Sequence, residues 1–261
     1  MRKIIALTLI LVISSSRFLY ALEIGDQDVE ITVDKTYVTR YIWRGQDLYG
    51  QDDGAIQPSI DFLFPGLVAG ADLDINLWGS FATSGGHEDG EEFDYTISLA
   101  KDIAEGINLS GGITYFDFPN TGSTSDVKEP WVALGFSNVL PDFVLPINIS
   151  LFAGYDFQAK PGGPDEGWYY SYGFDTEIAL PESGITQDDQ TLAIAFTNWG
   201  NDGVADLEPS PLYATEVSVS TSYRVGYISI TPSLTYTINH EEKINSGDCE
   251  LWGGIDFSYS F

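Results

Sequence analysis

Charged residues in this chain recur at a spacing that gathers them on one wall. Arg40 and Arg44 stand in an alternating stretch, on the parity opposite Tyr37, Tyr41 and Trp43. Successive strand side chains point to opposite faces, so an extended reading of 28–44 puts both guanidinium groups on one polar face. The same parity in other alternating segments carries Asp61, Asp72, Asp74, Asp94, Glu129, Asp175, Glu177 and Glu216, with Arg224 as a further base. Glu30, Asp34, Asp156 and Asp256 share it. Two chemistries fit carboxylates facing a few arginines across a gap. They can sort passing solutes by size and sign, with cations preferred. Alternatively they pair as Arg–carboxylate bridges that brace a closed interior, because buried charges need partners.

Other chemistries find little support. His87 and His240 fall in expected loops, where no strand presents either beside a Ser for nucleophile activation. Paired carboxylates such as Asp72 and Asp74 are what period-two strands produce by default. No catalytic residue is assigned, and the chain is read as a non-enzyme. The acidic groups at 88–92, 188–189 and 201–208 lack EF-hand spacing and read as solvated loops, so no metal and no cofactor is assigned. Cys249 is the one cysteine, which excludes an internal disulfide.

Composition narrows the partners. The 261 residues hold 11 Lys+Arg against 39 Asp+Glu, a net charge of −28, which disfavours nucleic acid. At the N-terminus Arg2 and Lys3 precede an apolar run from Ile4 to Ile13, with a cleavage position after Ala21. This layout predicts a signal peptide over 1–21 and a mature domain over 22–261. The run is too short to span a bilayer as a helix.

The elements that must position the charges are strands. Alternation recurs near 28–44, 54–64, 67–80, 92–101, 106–118, 128–139, 145–157, 167–180, 190–199, 212–224, 226–239 and 248–261, and many segments exceed the usual soluble strand. One parity is apolar; the other is mostly Gly, Ser, Thr, Asn and Asp with almost no Lys, which suits a narrow interior better than an open surface. Tyr37, Tyr41, Trp43, Trp168, Tyr170, Tyr213, Tyr223, Tyr259 and Phe261 fall near segment ends on the apolar parity, as membrane-interface girdles do. Long Gly/Asp-rich connections near 45–53, 82–91, 119–127, 158–166, 200–211 and 240–247 alternate with shorter ones at Pro65-Gly66, 102–105, 140–144 and Val225-Gly226, with 181–189 the exception. The expectation is an all-β fold, a transmembrane antiparallel up-and-down β-barrel of about twelve strands.

Two resemblances add to this. Phe257, Tyr259 and Phe261 resemble the terminal-strand signature of bacterial outer-membrane barrels, which implies the cell outer membrane, its lipid and the barrel assembly machinery as partners. Thr39-Arg40-Tyr41-Ile42-Trp43-Arg44-Gly45, followed by Gly54-Ala55-Ile56-Gln57-Pro58-Ser59-Ile60-Asp61-Phe62 and Gly66-Leu67-Val68-Ala69-Gly70, resembles the opening of the TorF family of porin-like proteins, also known as Gcw_chp. Gly112 to Pro119 and Glu129 to Gly135 are similar to its later aromatic segments. Arg40, Gly54 and Pro58 stand where that family usually has Asp, Pro and Gly. The resemblance implies a barrel and a porin role. The sequence therefore leads to a channel for small hydrophilic solutes, favouring cations, with a closed structural or ligand-binding barrel acting through acidic outer loops as the alternative; oligomeric state is left open.

Overall fold

The computed structural model describes residues 22–24, 27–50, 53–121, 124–141, 143, 145–180, 190–205, 207–241, 244 and 248–261. The expected signal peptide over 1–21 and the long connection at 181–189 lie outside the described residues. Strands β1 (Leu22–Ile24), β2 (Gln27–Val38), β3 (Ile42–Trp43), β4 (Gln46–Asp47), β5 (Ala55–Val68), β6 (Ala71–Ala82), β7 (Glu92–Ala104) and β8 (Ile107–Asp117) make up the first half. They are followed by β9 (Val127–Phe136), β10 (Asn148–Gln158), β11 (Gly167–Leu180), β12 (Gln190–Asn201), β13 (Ser210–Val225), β14 (Ile228–Asn239) and β15 (Glu250–Ser260).

Twelve of these close a barrel. The antiparallel order runs from β5 through β15 in chain sequence, and β2 joins β15 to β5. At that seam Ile31 and Phe261 exchange both backbone hydrogen bonds at 2.9 Å, so the last residue completes the wall. Closure pairs each strand on both sides, which is how a sheet survives in hydrocarbon. The wall strands run from 10 to 16 residues, long enough to cross a bilayer at a tilt.

The two faces separate by parity. Leu77, Ile97, Ile113, Val132, Leu151, Phe174, Val219 and Leu234 stand exposed on the outside, forming an apolar belt of the kind that outer-membrane barrels carry. The inner parity is lined by small and polar groups, as the neighbouring-strand pairs Thr96 with Thr114 and Ser220 with Ser233 illustrate.

Four expectations are corrected. The strand expected over 28–44 is β2 and stops at Val38, so Arg40, Tyr41, Trp43 and Arg44 leave the wall; the chain turns inward, where their polar and aromatic groups find partners. Tyr41 and Tyr213 are buried inside, at 4% and 0% exposure, and Trp43 packs in the interior, so none of these three belongs to the lipid girdle. The turn expected at Pro65-Gly66 is inside β5, which passes an irregularity between Phe64 and Val68 before turning at Ala69-Gly70. The inner parity is also not uniformly small: Phe116, Phe152, Tyr169, Trp199 and Trp252 face inward.

Candidate functional site

The site is built by residues 39–50, the described part of the segment that follows β2, which fold into the bore. Its tip is the miniature hairpin β3–β4, where Ile42 pairs with Asp47 and Trp43 with Gln46. The two turn residues have positive φ, 50° at Arg44 and 80° at Gly45, the geometry of a tight hairpin turn. Glycine is needed at 45 for space as well, because a Cβ there would overlap the Ala214 methyl on β13.

The wall grips this hairpin from every side. Arg44 donates two parallel hydrogen bonds to Glu129 on β9, at 2.6 and 2.8 Å. Glu216 on β13 accepts from the Trp199 indole at 2.9 Å and from the backbone of Gly45. Gln46 donates to the Tyr169 hydroxyl on β11 at 3.3 Å. Tyr41 donates to Glu92 on β7 at 2.6 Å, and Tyr49 to Ser80 on β6 at 3.0 Å. Arg40 pairs with Glu250 on β15 and lies 3.9 Å from Asp47. Partners on β6, β7, β9, β11, β13 and β15 surround the bore, so the hairpin crosses it.

Arg44 is the centre of the arrangement. Its guanidinium carbon lies 4.2 Å from the ring centroid of Trp43, 4.7 Å from Tyr169, 5.0 Å from Phe152 and 5.5 Å from Trp199, all within cation–π reach. Gly154 leaves room for the Glu129 carboxyl, which a side chain at 154 would displace. Burial alone pulls an arginine down, but the hydrogen bonds and charge of Glu129 outweigh it and hold Arg44 above its ordinary value. Burial, then the nearby Glu92, holds the Tyr41 phenol well above its ordinary value, and burial lifts Tyr49 to about 12.

Below the hairpin, toward the end of the barrel where the chain finishes, the lumen changes character. Asp34, Asp61, Asp74 and Asp256 line the neighbouring strands β2, β5, β6 and β15. Asp61 accepts from Asn76 at 2.6 Å, Asp256 from Thr36 at 2.7 Å and Asp34 from Ser59 at 3.2 Å, and none of these donors is a cation. Across the bore Asp175 accepts from Asn148 at 2.8 Å.

The expected lumen residues thus separate into groups. Arg44, Glu129, Asp94 and Glu216 meet at the hairpin, and Arg40 anchors its base. Asp61, Asp74 and Asp175 belong to the lower lumen. Glu177 sits opposite Ala193 and Arg224 opposite Ser229, both near the terminal end. Asp72 accepts from the Gly66 amide at 2.7 Å and so ties a turn at the rim. Phe152, Tyr169 and Trp199 went unrecognised as lumen residues, although each stands on the polar parity of its strand.

The histidines have separate engagements. His87 pairs with Asp53, and His240 Nε2 lies 2.9 Å from the Thr215 hydroxyl. Among the described residues no group of three or more His, Cys, Asp or Glu side chains is arranged to hold a metal ion.

A closed twelve-strand wall, an apolar belt and a loop folded into the bore can be compared with solved structures. The fold is that of an outer-membrane β-barrel. The chain is similar to the KdgM porin, with a TM-score of 0.53 at 12% identity over 88% of this chain and 99% of that one. The COG4313 outer membrane channel from Pseudomonas putida F1 matches at TM-score 0.51 and 10% identity, over 95% of this chain and 100% of that one. LpxR from Salmonella typhimurium matches at 0.52 and 8%, over 87% and 99%. At such identities the likeness is one of fold alone. No family model and no curated protein matches the chain.

Proposed function

We propose that the protein is an outer-membrane channel through which small hydrophilic solutes diffuse passively, with cations favoured. The observation that carries this reading is a lumen in two stages: an inward hairpin that narrows the bore, above a wall of small residues and carboxylates. The hairpin would set the size limit. The acidic wall would set the sign, since fixed carboxylates in a narrow, low-dielectric passage concentrate cations. The motif resemblance to the TorF porin-like family and the porins among the structural neighbours support the same reading. No energy source or cofactor enters such a mechanism.

Single-channel recording of the refolded mature protein in a planar bilayer tests it. Discrete steps with a cation-selective reversal potential under a salt gradient are expected. Steps with anion selectivity would overturn the role of the carboxylates. Silence from a barrel shown to be folded by heat-modifiable gel mobility would favour the second reading, a closed barrel acting through its outer loops. The observation on its side is the Arg44–Glu129 bridge itself, since Glu129 is only 2% exposed and such bridges also serve to fill an interior.

A further inference from the structure

Reading the lumen as a channel leaves the seat of Arg44 unexplained in its detail. A brace needs one ion pair. This seat surrounds the guanidinium with four aromatic rings, a bidentate carboxylate and further acids. Planar stacking plus a two-pronged carboxylate is the recognition chemistry of a guanidinium ion, which a compact ammonium or a metal ion would not match.

Two further observations point beyond Arg44. Asp156 on β10 is only 7% exposed and faces the Arg44 charge, yet its Oδ1 has no hydrogen-bond partner. Tyr213, wholly buried beside Tyr169, leaves its hydroxyl unpartnered too. Arg44 therefore does not exhaust the polar groups around it. A cavity of about 360 Å³ adjoins the seat, lined among others by Trp43, Arg44, Trp199, Glu216 and Trp252. It places three indoles and the Glu216 carboxylate around one space that the guanidinium also borders.

We propose that this seat is a recognition site for free guanidinium cations, with Arg44 as its tethered occupant. A guanidinium-bearing solute arriving through the cavity would compete with Arg44 for Glu129 and the rings, and so loosen the hairpin. The inference deepens the channel reading and rests on it for its physiological meaning. A tethered group enjoys a high effective concentration at its own site, so the competing solute must act against it. Deleting the tethered guanidinium should expose the site's full affinity.

The test is a titration of the refolded full chain with methylguanidinium, followed by tryptophan fluorescence, since Trp43 and Trp199 form the seat. In Arg44→Ala the response should saturate at a concentration roughly tenfold or more below that of the unaltered protein. Arg44→Lys, which keeps a tethered cation without the fork, should fall between them. Urea, a neutral molecule of similar shape, should give no saturable response. Adding Glu129→Gln to Arg44→Ala should abolish the methylguanidinium response. Heat-modifiable mobility certifies folding for each variant, and Arg44→Lys keeps the test decisive if Arg44→Ala does not fold. The proposal is overturned if the folded variants respond no more tightly than the unaltered protein, or if urea matches methylguanidinium. The titration needs no current. A silent bilayer with a positive titration would sink the channel and keep the seat, while a conducting barrel without the response would do the reverse.

Discussion

The two halves of the lumen solve the same problem in opposite ways. Both must carry carboxylates inside a wall surrounded by hydrocarbon. In the hairpin half four acids are matched to specific donors, Glu129 to Arg44, Glu250 to Arg40, Glu92 to Tyr41 and Glu216 to Trp199, while Asp94 and Asp156 each keep a buried oxygen without one. In the terminal half Asp34, Asp61 and Asp256 are met by neutral Ser, Asn and Thr donors, and their neighbours are small. The first half spends its charge on internal structure. The second holds its carboxylates by neutral donors. A single polar parity therefore serves two purposes, and what separates them is whether a loop reaches that height in the bore.

The sharpest way to break this contrast is to release the hairpin. Replacing Arg44 by Ala leaves Glu129 buried without its partner, a change that costs about 3–5 kcal/mol at such sites. Single-channel conductance should rise severalfold while heat-modifiable mobility stays that of a folded barrel. Unchanged conductance would mean that the hairpin does not control the bore. Gly45→Ala attacks the same latch more gently. The left-handed φ costs an L-residue about 1–2 kcal/mol, and the new methyl meets Ala214, so recordings should show flicker between a low and a higher level.

The terminal half should answer a different measurement. Neutralising Asp61 and Asp74 together as Asn should move the reversal potential under a salt gradient toward zero, with conductance changing by less than about twofold. The same double change would sharpen the comparison if it left the effect of Arg44→Ala intact, because the halves would then act independently. The smallest expected effect is one of alkaline pH. The Tyr41 phenol is held above its ordinary value by burial and Glu92, so docking favours its protonated form. That contribution is complete below the ordinary tyrosine value of about 10 and is lost as pH rises beyond it toward the raised value. Conductance of the unaltered protein should therefore increase in the alkaline range, and Tyr41→Phe should flatten that limb.

Much of the wall was legible because its cause is local. Alternation marks each strand, and the polar parity of Asp61, Asp74 and Glu216 follows from the two-residue repeat. The last strand could be read from an apolar parity that continues to Phe261, whereas the pairing of Phe261 with Ile31 could not. The same local rule misled at residues 39–44, where alternation continues past the end of β2. Tyr41 and Trp43 satisfy a strand pattern, yet their surroundings are inside. Tyr169 and Trp199 carried a readable signal, large aromatics on an otherwise small parity, whose meaning depends on what faces them across the bore.

What the sequence by itself determined is the barrel: strand number, faces, antiparallel order and the acidic sign of the interior all follow from patterns spanning a few residues. What only the tertiary structure decided is the inward course of residues 39–50 and the seat of Arg44. Arg44 meets Glu129 across 85 positions of chain, and Arg40 meets Glu250 across 210. No local periodicity encodes such pairings. They exist because the closed wall brings distant strands around one narrow space, where a buried guanidinium is stable only beside a carboxylate.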